Sequence, residues 1–180
     1  MTVDEIGALV CDVADFPKPG IIFKDITPLL ADGVAFRDTV ALLAERAAAF
    51  PAAGILAIES RGFIFGAALA ANLGLPLHLV RKRGKLPRES VTVSYALEYG
   101  MDHLEMHTDV VVPNQRYLVV DDVLATGGTA AAVNKLVQLQ GGEVAAMLFV
   151  IELSALGGRD SLAGTRVESL LLLGDDAPTG

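Results

Sequence analysis

The sequence predicts an α/β fold in which a mostly parallel central sheet is flanked by helices. Three observations carry that expectation. Short, near-continuous apolar runs alternate with segments of helical spacing, the pattern of strands covered on both faces. Glycine or proline closes most of these segments. One block, residues 116–142, reads as buried strand, glycine-bearing turn, helix and glycine stop in direct succession.

Phe36, Val40, Leu43, Ala47 and Phe50 follow helical spacing, and Pro51 with Gly54 ends that segment. Gly54 to Ile58 is a short, doubly buried strand. Residues 62–73 are helical and stop at Gly74. Leu75 to Val80 is a strand weakened at its start by Pro76. Val91–Tyr95 and Leu104–Val112 alternate as a hairpin-like excursion. Arg116–Val120 is a buried strand, Leu124–Thr129 the turn, and Ala130–Gln140 a helix stopped by Gly141-Gly142. Val144–Leu153 and Val167–Leu173 complete the sheet, and 174–180 is expected to be a loose tail. No repeat or linker divides the 180 residues, so a single domain spans 1–180, with 1–33 as an N-terminal arm.

Hydrophobic residues make up 52% and charged residues 20%, which is globular rather than disordered composition. No apolar run approaches the roughly 18 residues of a membrane span, and Asp4 and Glu5 without a basic residue are wrong for a leader. A single cysteine, Cys11, precludes an intramolecular disulfide, so the expected compartment is the reducing cytosol. The net charge of −8 argues against a broad nucleic-acid surface. Yet five of the 14 basic residues fall between Arg81 and Arg88. Placed after a strand, that cluster is either a local anion site or a solvated charge run.

The most informative stretch is Tyr117 to Thr129, in which a buried strand runs into Asp121-Asp122 and then Ala125-Thr126-Gly127-Gly128-Thr129. Backbone N–H groups of a small-residue turn, with a helix N-terminus behind them, favour an anion. Neither the Walker pattern nor the dinucleotide fingerprint is present. Two carboxylates beside a phosphate cradle would repel the phosphate unless a sugar lies between. A ribose does this: its hydroxyls donate to the acids while its phosphate lies in the loop. The acids also suit a sugar ring that becomes cationic. The plainer reading is an acidic strand end that caps the helix or faces solvent.

This thirteen-residue block resembles the phosphoribosyl-pyrophosphate signature of the type I phosphoribosyltransferases. The resemblance implies that Asp121 and Asp122 hold the ribose, and that Ala125, Thr126, Gly127, Gly128 and Thr129 hold the 5-phosphate. Three further stretches are similar to the adenine-specific branch of that family, in family order. Residues 16–30 look like its base-binding hood, which implies adenine contacts from Ile22, Phe23 and Lys24. Glu59-Ser60-Arg61-Gly62 looks like its pyrophosphate loop, with an unusual cis peptide near Glu59-Ser60. Tyr95 to Gly100 looks like its mobile catalytic loop, a lid carrying Glu98 and Tyr99, with Glu98 placed near the purine. Arg81, Lys82 and Lys85 match its second pyrophosphate-binding element, while Arg83 and Arg88 read equally well as solvated.

Physical readings stand beside these. Pro17, Pro19 and Gly20 stiffen an extended segment that presents Ile22 to a flat ring, or else form an ordinary surface connection. Relatives often carry arginine at Lys24 and aspartate at Glu59; lysine keeps the charge but loses the planar fork. Arg61 with backbone N–H groups suits pyrophosphate, and its other reading is a surface pair with Glu59. Glu105 reads as a strand position, His78 as strand packing, and His103 and His107 as solvent-facing. With no metal-ligand spacing, magnesium is expected through substrate oxygens.

The implied reaction joins adenine to phosphoribosyl pyrophosphate, giving adenosine monophosphate and pyrophosphate in purine salvage. Arg61, Glu98 and Tyr99 are then the catalytic candidates, and the family suggests a homodimer. The rivals are a transferase for xanthine or guanine, a non-catalytic regulator that senses phosphoribosyl pyrophosphate, and a generic nucleotide-binding domain.

Overall fold

A computed structural model describes residues 1–97 and 100–174. Its frame is a seven-stranded sheet. Five parallel strands form its body: β3 (Gly54–Ile58), β4 (Leu77–Lys82), β7 (Arg116–Leu124), β8 (Glu143–Leu153) and β9 (Val167–Leu173). An antiparallel hairpin, β5 (Ser90–Leu97) and β6 (Gly100–His107), extends the β4 edge, giving the order β5-β6-β4-β3-β7-β8-β9. From β3 the chain first moves outward to β4, and from β7 it moves the other way, to β8 and β9. The carboxyl ends of β3 and β7 therefore diverge into a crevice at the topological switch point, where open α/β sheets bind ligands.

The strand sequences explain the layering. Gly54–Ile58 is buried throughout because helices cover both faces. On one face, α5 (Gly128–Leu139) packs Val133, Leu136 and Val137 against Leu56, Val119, Met147 and the hairpin residues Val93, Leu104 and Met106. On the other, α3 (Gly33–Ala47) and α4 (Gly62–Leu73) pack Leu43, Phe65 and Leu69 against Ile55, Leu118, Val120 and Leu148. Asp32 starts α3 by accepting from the N–H groups of Val34 and Ala35 at 2.9 and 3.0 Å. Gly74, at φ +66°, ends α4 in the left-handed region.

The N-terminal arm contributes α1 (Val3–Gly7), a two-stranded ribbon of β1 (Cys11–Ala14) and β2 (Ile22–Asp25), and α2 (Thr27–Ala31). Its turn contains a cis bond before Pro17.

Several expectations shift at their edges. Pro76 cannot donate to the ladder, so β4 starts at Leu77 and runs on to Lys82, while the Pro76 carbonyl accepts from Ile55 N–H at 2.8 Å. The strand predicted over 104–112 occupies Gly100–His107 instead, since it follows β5 back from the hairpin tip. β7 continues through both aspartates to Leu124, four residues beyond its apolar run, because β8 supplies ladder partners through Glu152. Glu98, Tyr99 and residues 175–180 lie outside the described residues.

Candidate active site

Five segments converge on the crevice. The turn after β3 brings Glu59, Ser60 and Arg61, and the end of β4 brings Lys82. The hairpin brings Tyr95 and Asp102, the end of β7 brings Asp121 and Asp122, and the start of α5 brings Thr129. Together they line an open cleft of about 360 Å³, the scale of a small-molecule site. A second hollow, lined by residues 123–130, Asp121 and Phe149, opens beside it and shares Asp121 and Thr129.

That second hollow is walled by the loop that the sequence reads as an anion cradle. Gly127 precedes α5 at φ +82°, a conformation that keeps L side chains out. A Cβ there would lie 2.4 Å from the Gly158 carbonyl oxygen. The loop is braced from behind by residues 157–162, where Ser161 Oγ donates to the Thr126 carbonyl at 2.8 Å. Arg159 holds that brace to the sheet, donating to Glu152 from Nε at 2.6 Å and from Nη2 at 2.8 Å.

The acids stand between cradle and cleft. Asp122 is only 5% exposed. Asp121 is partly exposed, but its Oδ1 turns inward, where a Cβ on Gly62 would lie 2.7 Å from it. Burial pushes the Asp121 carboxyl well above the usual range, and the neighbouring Asp122 charge adds to the rise. Burial raises Asp122 as well, with Arg61 pulling the other way. Arg61 Nε sits 2.7 Å from Asp122 Oδ2. Its N–H is not aimed at the oxygen, however, so charge is balanced while Oδ2 keeps an unmet acceptor site.

Arg61 also reaches the ribbon. Its Nη1 donates to the Lys24 carbonyl at 3.1 Å, and its guanidinium lies 4.7 Å from the Phe23 ring centre. Phe16 meets the same ring edge-on at 5.1 Å. One side chain thus joins ribbon, turn and acid pair.

A family model for the phosphoribosyl transferase domain matches residues 51–161. The adenine phosphoribosyltransferase of Carboxydothermus hydrogenoformans is 57% identical over 93% of this chain and 98% of that protein. The chain belongs to the adenine phosphoribosyltransferase family. Its fold agrees: the Thermoanaerobacter pseudethanolicus adenine phosphoribosyltransferase superposes with a TM-score of 0.94 at 47% identity, covering 96% of this chain and 100% of that one. The Saccharomyces cerevisiae enzyme, complexed with adenine and an imino-altritol bisphosphate, gives 0.87 at 35% identity, with 94% and 98% covered. This is the type I phosphoribosyltransferase fold expected from the 117–129 block.

The structure of this family member brings most of the predicted residues together, and separates some. Ala125 to Thr129, both aspartates, Glu59, Ser60, Arg61 and Lys82 share the crevice. The Glu59-Ser60 peptide is cis, as the resemblance implied. Arg61 pairs with Asp122, while Glu59 pairs with Arg81, accepting from Nε at 3.1 Å and Nη2 at 3.3 Å, and from Lys82 N–H at 3.0 Å. Burial would raise the Glu59 carboxyl, but these donors carry it below its ordinary value. Arg81 is thereby turned from the cleft, its Nη1 bonding the Lys85 carbonyl at 3.0 Å; Lys85 itself is exposed outside the lining. Lys24 sends its ammonium across the ribbon to Asp12 at 2.6 Å. Ile22 is 45% exposed.

Glu105 is a buried strand residue, as its alternation suggested, accepting from Gly84 N–H at 2.9 Å and Thr92 Oγ1 at 3.2 Å. His78 packs against Tyr117. His103 and His107 are half-buried on β6, bonding Ser94 Oγ and the Glu89 carbonyl rather than facing open solvent. Arg88 pairs with Asp109.

Sequence reasoning missed Asp102, Gly158 and Ser161. Asp102 sits on β6 opposite Tyr95, and that hairpin pairing had to be known before its cleft position could be. Gly157-Gly158 was the available signal for the brace, and it reads as an ordinary turn without its neighbour.

Proposed function

We infer that this chain transfers the phosphoribosyl group of phosphoribosyl pyrophosphate to adenine, giving adenosine monophosphate and pyrophosphate. The observation that carries this reading is the buried Asp122 Oδ2, an acceptor without an aligned donor, beside a glycine-walled anion cradle at the sheet's switch point. A sugar hydroxyl supplies the missing donor while the sugar's phosphate occupies the cradle. The base assignment is supported by relatives that bear the adenine name and by the yeast structure that contains adenine.

The chemistry follows from the layout. The bond from the anomeric carbon to pyrophosphate oxygen breaks with its electron pair going to pyrophosphate. A ring nitrogen of the purine forms the new bond and loses its proton. Asp121 and Asp122 accept from the ribose hydroxyls and stabilise positive charge growing on the ring. Backbone N–H groups of 125–129 hold the 5-phosphate, and Arg61 and Lys82 hold pyrophosphate. Phe23 and the Ile22 backbone form the adenine wall, oriented by Arg61 beneath the ribbon. Glu98 and Tyr99, outside the described residues, are assigned to purine proton exchange and closure of the site.

Among the described residues, no group of three or more His, Cys, Asp or Glu can hold a metal. With the acid pair engaged by the ribose hydroxyls, the site fits a magnesium ion held through substrate oxygens and water rather than by direct protein ligands. When bound, magnesium supplies charge neutralisation for the departing pyrophosphate. No helix among the described residues is long and apolar enough to cross a membrane. The cytosolic location proposed with this function is in keeping with a chain whose single cysteine, Cys11, leaves no intramolecular disulfide to form. Exposed Leu77 and Leu79 on β4 support self-association as a homodimer, which sedimentation velocity reads directly.

The test is pyrophosphate release from phosphoribosyl pyrophosphate and magnesium, with adenine, guanine, hypoxanthine and xanthine supplied separately. Release with adenine alone is expected. Release with a different base would replace the adenine assignment, and binding without release from any base would point to a sensor.

A further inference from the structure

Among the described residues, three cations around the cleft each face a resident carboxylate. Arg61 meets Asp122 at 2.7 Å, Arg81 meets Glu59 at 3.1 Å, and Lys82 meets Asp102 at 3.4 Å. The first two are held by more than charge: Arg61 also bonds the Lys24 carbonyl, and Arg81 makes two hydrogen bonds to Glu59. Their side chains are about one-third exposed, at 31% and 29%. Lys82 differs. Its side chain is 59% exposed, its pair is the longest of the three, and an ammonium has no planar fork to fix its direction. It is the cation free to change partners.

Asp102 differs too. Its Oδ1 accepts from His103 N–H at 2.8 Å, and its Oδ2 accepts from Tyr95 Oη at 3.3 Å, whose oxygen in turn accepts from Thr129 Oγ1 at 3.4 Å. The carboxylate is therefore anchored to its own backbone and to the helix behind the anion cradle. An anchored carboxylate facing a mobile ammonium across a site for a polyanion is a built-in competitor. We propose that Asp102 competes with pyrophosphate for Lys82, so that the cleft releases pyrophosphate more readily than its positive charges alone would allow. This rests on the phosphoribosyltransferase reading of the cleft.

Hydrogen bonds from His103 N–H, and the charge of Lys82, hold the Asp102 carboxyl below its ordinary value against the opposing effect of burial, so it is ionised wherever such an enzyme works. During turnover Lys82 swings from Asp102 to the pyrophosphate oxygens and returns as the product leaves. The cost of breaking the resident pair is subtracted from the hold on pyrophosphate. For a partly exposed pair that cost corresponds to a factor of about 2 to 5.

The experiment compares the wild-type enzyme with Asp102→Asn and Asp102→Glu by calorimetric titration with magnesium pyrophosphate, alongside initial rates. Asparagine keeps the hydrogen bonds to Tyr95 and His103 in reach but removes the charge. Asp102→Asn is expected to bind pyrophosphate about 2- to 5-fold more tightly, to lower the KM for phosphoribosyl pyrophosphate and to leave the KM for adenine unchanged. Asp102→Glu, with the charge restored, is expected to return toward wild-type affinity. Loss of structure weakens binding, so tightening separates competition from damage. Unchanged or weaker pyrophosphate binding by Asp102→Asn would overturn the proposal, as would equal tightening by both variants. The titration does not need turnover, so a wild-type protein that binds pyrophosphate yet fails with adenine would overturn the substrate reading alone.

Discussion

Arg61 Nε lies 2.7 Å from Asp122 Oδ2, and this one contact ties the turn after β3 to the acid pair at the end of β7. The two strands are neighbours in the sheet but sixty residues apart in the chain, so the pair is a product of topology. Its geometry is unbalanced: Arg61 neutralises the acid without using up the acceptor, so Oδ2 stays buried without a hydrogen-bond partner.

Arg61→Ala is expected to damage both stability and catalysis. It strands Asp122, whose side chain is 7% exposed, and removes the ribbon's hydrogen bond at Lys24. Denaturant unfolding should show a loss of about 2 kcal/mol, below the range for fully buried pairs because Arg61 is partly solvated. Turnover should fall at least about 100-fold, the effect of removing one preorganised electrostatic partner. Arg61→Ala with wild-type turnover would end its assignment to pyrophosphate.

Asp121→Asn is expected to give a more stable and less active enzyme. The folded-state carboxyl lies above its ordinary value of 3.8 because of burial and the Asp122 charge. As pH rises past 3.8 the unfolded chain releases this proton first, so the folded state binds more protons and stability falls with pH. The fall ends once pH has passed the raised folded value. Asparagine removes that loss. Thermal melts of the two proteins should therefore coincide in acid and diverge toward neutral pH, with the variant melting higher. Turnover near pH 7 should drop at least about 100-fold. A variant that melts lower at neutral pH would refute the burial argument.

Gly158→Ala tests the brace behind the cradle. A Cβ there would lie 2.3 Å from the Ala125 carbonyl oxygen, so the loop has to move. The KM for phosphoribosyl pyrophosphate should rise about tenfold or more, while titrated pyrophosphate binding changes much less. A stability loss of about 1–3 kcal/mol accompanies overpacking of this kind. Equal weakening toward both ligands would mean that the cradle and the cleft do not act separately.

Phe23→Ala and Lys24→Ala should part company. Phe23 is packed between Arg61 and Phe16, whereas the Lys24 ammonium is committed to Asp12 across the ribbon. Truncating Phe23 should raise the KM for adenine by about tenfold, in keeping with loss of an aromatic contact and its packing. Truncating Lys24 leaves its carbonyl available to Arg61 and should change that KM less than about threefold. Steady-state kinetics with adenine varied at saturating phosphoribosyl pyrophosphate distinguishes them; a larger effect from Lys24 would reverse the assignment.

What the sequence determined by itself is the set of buried parts and their local chemistry. Gly54–Ile58, residues 62–73 and Val167–Leu173 have the bounds read from the chain, because the unbroken apolar run of the first requires cover on both faces and a glycine, Gly74 or Gly174, ends each of the other two. The acid pair and the cradle were legible for the same local reason: strand, acids, small-residue turn and helix are contiguous, so spacing alone brings them together. Tertiary structure decided the pairings between segments. Nothing local distinguishes Glu59 from Asp122 as the partner of Arg61; the parallel register of β3 beside β7 and β4 directs Arg61 to one acid and Arg81 to the other. The same holds for Lys24, claimed by Asp12 once the ribbon forms, and for Asp102, brought to Lys82 by the hairpin. A side-chain charge reaches only a few ångströms in effect, and which opposite charge lies within that reach is fixed by the path of the whole chain.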